Sequence, residues 1–93
     1  MTPIAAIIAA VADDYNLPVP LLLSTERTPG VAEARRLAMY LARQITQRQI
    51  EAVARAFARD HATVDHAMDT IRAALRTSAV LSLRVERIKG RLG

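Results

Sequence analysis

The stretch TQRQIEAVARAFARDHATVDHAMDTIRAAL, residues 46–75, decides how this chain folds. Ile50, Val53, Ala54 and Phe57 recur at three- and four-residue spacing, which gives a short helix one apolar face. Ala58-Arg59-Asp60 interrupts that pattern, and Asp60 is a good N-cap for a longer helix running to about Ser78. The longer helix has an inner stripe of Val64, Ala67, Met68, Ile71, Ala74 and Leu75. Its outer face carries His61, Asp65, Asp69, Arg72 and Arg76. A short helix, a tight turn and a longer helix with a polar outer face make a helix-turn-helix pattern, over about residues 47–78. Thr46 and Gln49 have the spacing of a capping box, which predicts Thr46 as the N-cap of the short helix.

Upstream, VAEARRLAMYLARQI (residues 31–45) predicts a long helix with Val31, Ala34, Leu37, Ala38, Leu41 and Ile45 on its apolar stripe. Arg35, Arg36 and Arg43 fall off that stripe. TERTPG (25–30) reads as a loop from its Pro-Gly pair, and PLLLS (20–24) is at most one helical turn. LPVP (17–20) stops a first helix, for which Thr2 is the candidate N-cap and Pro3 the first helical residue. Ile4, Ile7, Ile8, Val11 and Tyr15 recur along it at helical spacing. Downstream, Leu81, Val85, Ile88 and Leu92 carry a last helix, with Arg84, Arg87, Lys89 and Arg91 around them. No segment alternates with the period of a strand. The chain reads as all-α: a compact multi-helix bundle of five or so helices, a single domain over residues 1–93.

Composition narrows the function classes. Only Phe57, Tyr15 and Tyr40 are aromatic, so the core must be built from Ala, Leu, Ile, Val and Met. There is no Cys, which excludes disulfides, thiolate metal sites and a cysteine nucleophile. IAAIIAAVA (4–12) is apolar but too short to cross a bilayer, and no basic segment precedes it as in a signal peptide. A soluble, cytoplasmic protein is expected. The net charge is +4, unevenly spread: residues 1–26 hold three acids and no base, residues 27–93 thirteen bases and six acids. Twelve of those bases are Arg, the better fork for phosphate and guanine, so a polyanion is the expected partner.

The titratable cluster in ARDHATVDHAMDTI (58–71) raises the question of a metal or acid–base site. His61, Asp65 and Asp69 share a helix face, but His61 and His66 are five residues apart and diverge. No nucleophile motif accompanies them. Neither a metal site nor an enzyme is expected, and no cofactor.

The run Arg59-Asp60-His61-Ala62-Thr63-Val64-Asp65-His66-Ala67 is more specific than a generic helical hairpin. It follows Arg35, Leu37, Ala38, Met39 and Leu41 of the preceding helix, and Ile45-Thr46. Together these residues resemble the C-terminal DNA-binding domain of the bacterial chromosomal replication initiator, the DnaA family. Weaker likeness extends from about Ile4 to Thr77. The resemblance implies a Trp-repressor-like bundle that binds double-stranded DNA at a short AT-rich box, associated with the nucleoid. It implies that Asp60, His61 and Ala62 meet base edges in the major groove and Arg27 enters the minor groove. It assigns Arg35, Arg36, Arg43, Thr63 and His66 to the DNA backbone. Elementary chemistry agrees: a carboxylate accepts from cytosine N4, an imidazole meets a base edge, and a helix N-terminus attracts phosphate.

The chain departs from the family at several points. The family has Phe-Gly-Gly before Arg-Asp-His, whereas here Phe57-Ala58 leads directly to Arg59, giving a turn one residue shorter and free of glycine. Ala62 replaces a hydroxyl residue, Asp65 an apolar one, and the loop TERTPG keeps one Arg and adds Glu26. The sequence lacks the G-x-x-x-x-G-K-[ST] phosphate loop of the initiator's ATPase domain, so no nucleotide is expected. The start at Met1 and the altered signature favour a free-standing reader that regulates replication initiation or transcription, as a monomer or weak homodimer. The alternative is a protein-interaction or dimerisation module that keeps the DnaA-like fold and has lost specific box recognition.

Overall fold

The computed structural model describes residues 2–93; Met1, the first residue of the expected 1–93 domain, lies outside the described residues. Six helices follow one another: α1 (Ile4–Asp14), α2 (Val19–Leu23), α3 (Pro29–Thr46), α4 (Ile50–Phe57), α5 (His61–Leu75) and α6 (Ala79–Leu92). The all-α reading holds, and no strand occurs among the described residues.

α3 is the centre of the fold. It packs most extensively on α5 and α1, and also on α2 and α4. Surrounded in this way it buries far more than one stripe: besides Val31, Ala34, Leu37, Ala38 and Leu41, it hides Met39, Tyr40, Ala42 and the stem of Arg35. A single-face pattern suits a helix with one packed side, and α3 has several. The core is aliphatic apart from Phe57 and Tyr40, with Ile7, Val11, Leu22, Leu37, Leu41, Val53, Val64 and Ile88 fully enclosed.

Several expected helix ends move by a residue or more. Pro3, not Thr2, occupies the N-cap of α1, and its carbonyl accepts from the amides of Ala6 and Ile7. Pro29 and Gly30 are not loop residues but open α3, where proline's fixed φ suits the first turn. Thr46 does not cap α4. It closes α3, and its hydroxyl donates to the Ala42 carbonyl and accepts from the Arg48 amide at 3.2 Å. The N-cap position belongs to Gln49, which makes no side-chain cap bond, so the expected capping box does not form. α5 ends at Leu75 rather than Ser78, because Ser78 instead caps α6 by accepting from the Leu81 amide at 3.0 Å.

α6 is fastened to α1 by charge as well as by Leu81, Val85 and Ile88. The Asp14 carboxylate, only 2% exposed, accepts from Arg84 at 2.8 Å and from Arg87 at 2.6 and 2.9 Å. Arg91 pairs with Asp13, and Arg84 also lies 3.9 Å over the Tyr15 ring. The Tyr15 hydroxyl in turn donates to Glu33 at 2.6 Å. Burial first, then this carboxylate partner, raises the Tyr15 pKa and keeps the phenol neutral. Three of the basic residues that enrich the second part of the chain are therefore spent within the fold on Asp13 and Asp14.

The hydrogen bond from Arg87 holds the Asp14 carboxyl below its ordinary value of 3.8; burial opposes this, and the nearby Arg charges reinforce it. A depressed folded pKa contributes stability above the ordinary value, lost as pH falls through the folded one. Asp14→Asn should cost about 1–3 kcal/mol at pH 7 by urea unfolding. The gap to the parent protein should narrow below about pH 4; equal stabilities at pH 7 would show that the fork holds nothing.

Candidate nucleic-acid interface

The rotation of α5 is set from inside. Val64, Ala67 and Ile71 are buried against the core, so His61, Ala62, Thr63, Asp65 and His66 all face outward. The first turn of the helix thus presents an exposed imidazole, a methyl, a hydroxyl and the free amides of a helix N-terminus. Asp60 caps that end: its Oδ1 accepts from the Thr63 amide at 2.8 Å and from the Thr63 hydroxyl at 2.7 Å. The Thr63 hydroxyl, then its amide, hold the Asp60 carboxyl below the ordinary carboxylate range. Asp60 is therefore an acceptor throughout the neutral range, with carboxylate lone pairs beyond the two that Thr63 uses.

The loop between α2 and α3 is ordered rather than loose. The Ser24 hydroxyl donates to the Leu21 carbonyl at 2.6 Å and accepts from the Glu26 amide at 3.1 Å. The Glu26 carboxylate accepts from the Thr28 hydroxyl and amide. Two guanidiniums grip the loop from below. Arg35 donates from Nε to the Leu22 carbonyl at 2.8 Å and from Nη2 to the Glu26 carbonyl at 3.1 Å. Arg59 donates from Nη2 to the Ser24 carbonyl at 2.8 Å and from Nη1 to the Phe57 carbonyl at 2.9 Å. Arg27 rides on this loop, fully outward.

The expected backbone contacts sit in different environments. Arg35 is 9% exposed, and burial first, then the charges of Arg59 and Arg36, lower its pKa. Its Nε and Nη2 donate to one carbonyl near the end of α2 and one in the loop. Arg36 is half-buried and its Nε, shielded from solvent, has no partner among the described residues. Arg43 donates from Nη1 to the Arg48 carbonyl at 2.7 Å and braces the α3–α4 turn. Thr63 and His66 lie on the open face of α5. The structure thus brings Asp60, His61, Ala62, Thr63 and His66 to one helix end and links that end, through Arg59, to the loop bearing Arg27. Sequence reasoning missed Arg59 and Glu26 as organisers of the loop. Arg59 has no sequence-local signal, because its Ser24 partner is 35 residues away, whereas Glu26 acts on Thr28 only two residues on. Among the described residues, no three His or carboxylate side chains come together as a metal site would require. No helix among them is long and apolar enough to cross a membrane.

Residues 4–71 match the family described as bacterial dnaA protein helix-turn-helix. The chromosomal replication initiator protein DnaA of Rhodopseudomonas palustris (strain BisA53) is 42% identical over 83 residues, which cover 88% of this chain and 18% of that protein. The protein of the same name from Streptococcus thermophilus is 34% identical over 93 residues, covering 99% of this chain and 20% of that protein. The one from Thermoanaerobacter sp. (strain X514) is 35% identical over 78 residues, covering 84% and 18%. The chain spans about a fifth of the length of these relatives. The family match is to a helix-turn-helix, not to a catalytic domain.

The turn between α4 and α5 shows how the chain manages without glycine. Ala58 takes a left-handed conformation, φ 53° and ψ 45°, and lets the Arg59 amide reach back to the Ala54 carbonyl at 2.9 Å. A Cβ in that region costs about 1–2 kcal/mol. Ala58→Gly should therefore stabilise the fold by about 0.5–1 kcal/mol after its greater unfolded entropy is counted. The melting temperature should rise by roughly 2–8 °C; a fall would mean that the turn is not strained.

Proposed function

The chain belongs to the bacterial DnaA helix-turn-helix family, a DNA-binding family, and we propose that it recognises a short AT-rich duplex box. In this reading α5 enters the major groove with Asp60, His61 and Ala62 toward base edges. Arg27 enters the adjacent minor groove, where narrow A·T runs concentrate negative potential and attract guanidinium groups. Arg36, Arg43, Thr63 and His66 hold phosphates. The unpartnered Nε of Arg36 is a donor that a phosphate oxygen would satisfy. Arg35 acts on the backbone side by fixing the loop, its Nε and Nη2 donating to main-chain carbonyls. The role that follows is regulation of replication initiation or transcription at the nucleoid.

One observation carries the reading: a polar, outward first turn of α5 is joined through Arg59 to a hydrogen-bonded loop whose one basic residue, Arg27, is exposed. A second reading, a protein-interaction or dimerisation module, is favoured by Val80 and Leu83, which are 74% and 65% exposed on α6. A duplex-bound monomer by light scattering speaks for the first reading, and a concentration-dependent dimer indifferent to DNA for the second.

The test is titration against duplexes carrying an initiator-type box and against scrambled duplexes, over a salt series. The logarithm of affinity should fall against log salt with a slope near −0.9 per neutralised phosphate. His61→Ala should lose roughly 1–3 kcal/mol of discrimination between the two duplexes. Arg36→Ala should weaken both about equally and reduce the salt slope by about 1. Equal affinity of the parent protein for box and scrambled DNA would overturn specific recognition.

A further inference from the structure

Two segments carry the groups assigned to the two grooves: the α2–α3 loop with Arg27, and the α4–α5 turn that leads into Asp60 and His61. Arg59 spans them. Its Nη1 donates to the Phe57 carbonyl at the end of α4, where the turn begins, at 2.9 Å, and its Nη2 to the Ser24 carbonyl at the start of the loop, at 2.8 Å. Both donors come from one rigid planar group, so the spacing between turn and loop is set by the width of a guanidinium. Within the loop, Arg35 fixes the Glu26 carbonyl, and the Glu26 carboxylate fixes the Thr28 amide. The backbone is thereby held on both sides of Arg27, while the Arg27 side chain is exposed and has no partner among the described residues.

We infer that Arg59 is a positioning residue for two-groove recognition, locking the loop that presents Arg27 in register with the first turn of α5. The inference rests on the reading of Arg27 as the minor-groove contact. Its physical basis is preorganisation. A loop already held in its bound geometry need not be ordered when DNA arrives, and contacts in the two grooves reinforce each other only if their separation is fixed. Arg59 does this through the protein's own backbone, one hydrogen of each Nη group being donated to a main-chain carbonyl. A lysine would keep the charge but, as a compact point donor, cannot bridge the two carbonyls in the same plane.

The experiment compares binding to a box duplex with binding to the same duplex carrying 2,6-diaminopurine in place of adenine at the A·T positions of the minor-groove segment. That substitution places an amino group in the minor groove and leaves the adenine N6 and N7 edge in the major groove intact. The parent protein should prefer the adenine duplex by about tenfold. Arg59→Lys, and Arg59→Gln run in parallel with it, should reduce that preference to about threefold or less while circular dichroism shows the helix content retained. Non-specific affinity and salt slope should stay unchanged in Arg59→Lys, because no charge is lost. Arg27→Ala should abolish the preference in the parent background, about a tenfold effect, and change it by about threefold or less in the Arg59→Lys background, the mark of two residues acting through one contact. A parent protein that ignores diaminopurine overturns the reading of Arg27 itself. A parent that discriminates, with Arg59→Lys discriminating equally or Arg27→Ala costing the same in both backgrounds, overturns the role of Arg59 alone.

Discussion

Two arginines gripping the carbonyls of one loop set the geometry on which the putting-together of this domain's outer surface depends. Arg35 reaches up from the central helix to Leu22 and Glu26, and Arg59 reaches across from the α4–α5 turn to Ser24. Neither meets a carboxylate. Carbonyl oxygens satisfy the guanidinium hydrogens without cancelling the charge, so the loop is ordered and the region stays positive. That combination suits a surface facing a polyanion. A carboxylate partner would have fixed the loop equally well and erased the field. Glu26, which on sequence grounds weakens a basic loop, takes part in the same arrangement by binding Thr28 internally.

The clamp works because α3 gives it a base. α3 touches four other helices, and its small residues Ala34, Ala38 and Ala42 let those neighbours approach closely. Burying Arg35 there removes a charge from water, an expense that two hydrogen bonds and the accessible edge of the loop offset. Between α1 and α6 the charges are handled differently. Asp14 and Asp13 pair with Arg84, Arg87 and Arg91 and offset most of their charge, which fastens α6 on α1. Positive charge is thus offset between α1 and α6 and conserved at the loop.

Much of this was legible in residues 46–75. The periodicity of Val53, Ala54 and Phe57, and of Val64, Ala67 and Ile71, fixed both helices and the outward face between them. Asp60 was recognisable as a cap because capping needs only a short polar side chain three residues before an amide. Helix ends were less legible. Thr46 has the spacing of a capping box, yet its hydroxyl turns back to Ala42, a choice made by how α3 and α4 meet. Ala58, Gln47 and Asn16 all adopt positive φ without being glycine, so the stops they provide carried little signal. The clamp was invisible for a stronger reason. Pairs separated by 13 and 35 residues join only after the chain has folded, and a lone Arg reads equally well as a phosphate contact or as a brace. The strong basic excess of residues 27–93 was legible as a number but not as a distribution, because Asp13 and Asp14 withdraw three arginines from it.

The central claim is that this helical domain reads duplex DNA through two connected elements, a recognition helix and an ordered arginine loop. Selection of bound sequences from a random duplex pool tests it most directly, since it assumes no box in advance. The account predicts one enriched short motif containing two adjoining parts. One part is fixed in base identity, as the major groove distinguishes all four pairs; the other is constrained only to A·T, as the minor groove does not. A pool that remains random after repeated selection would contradict it.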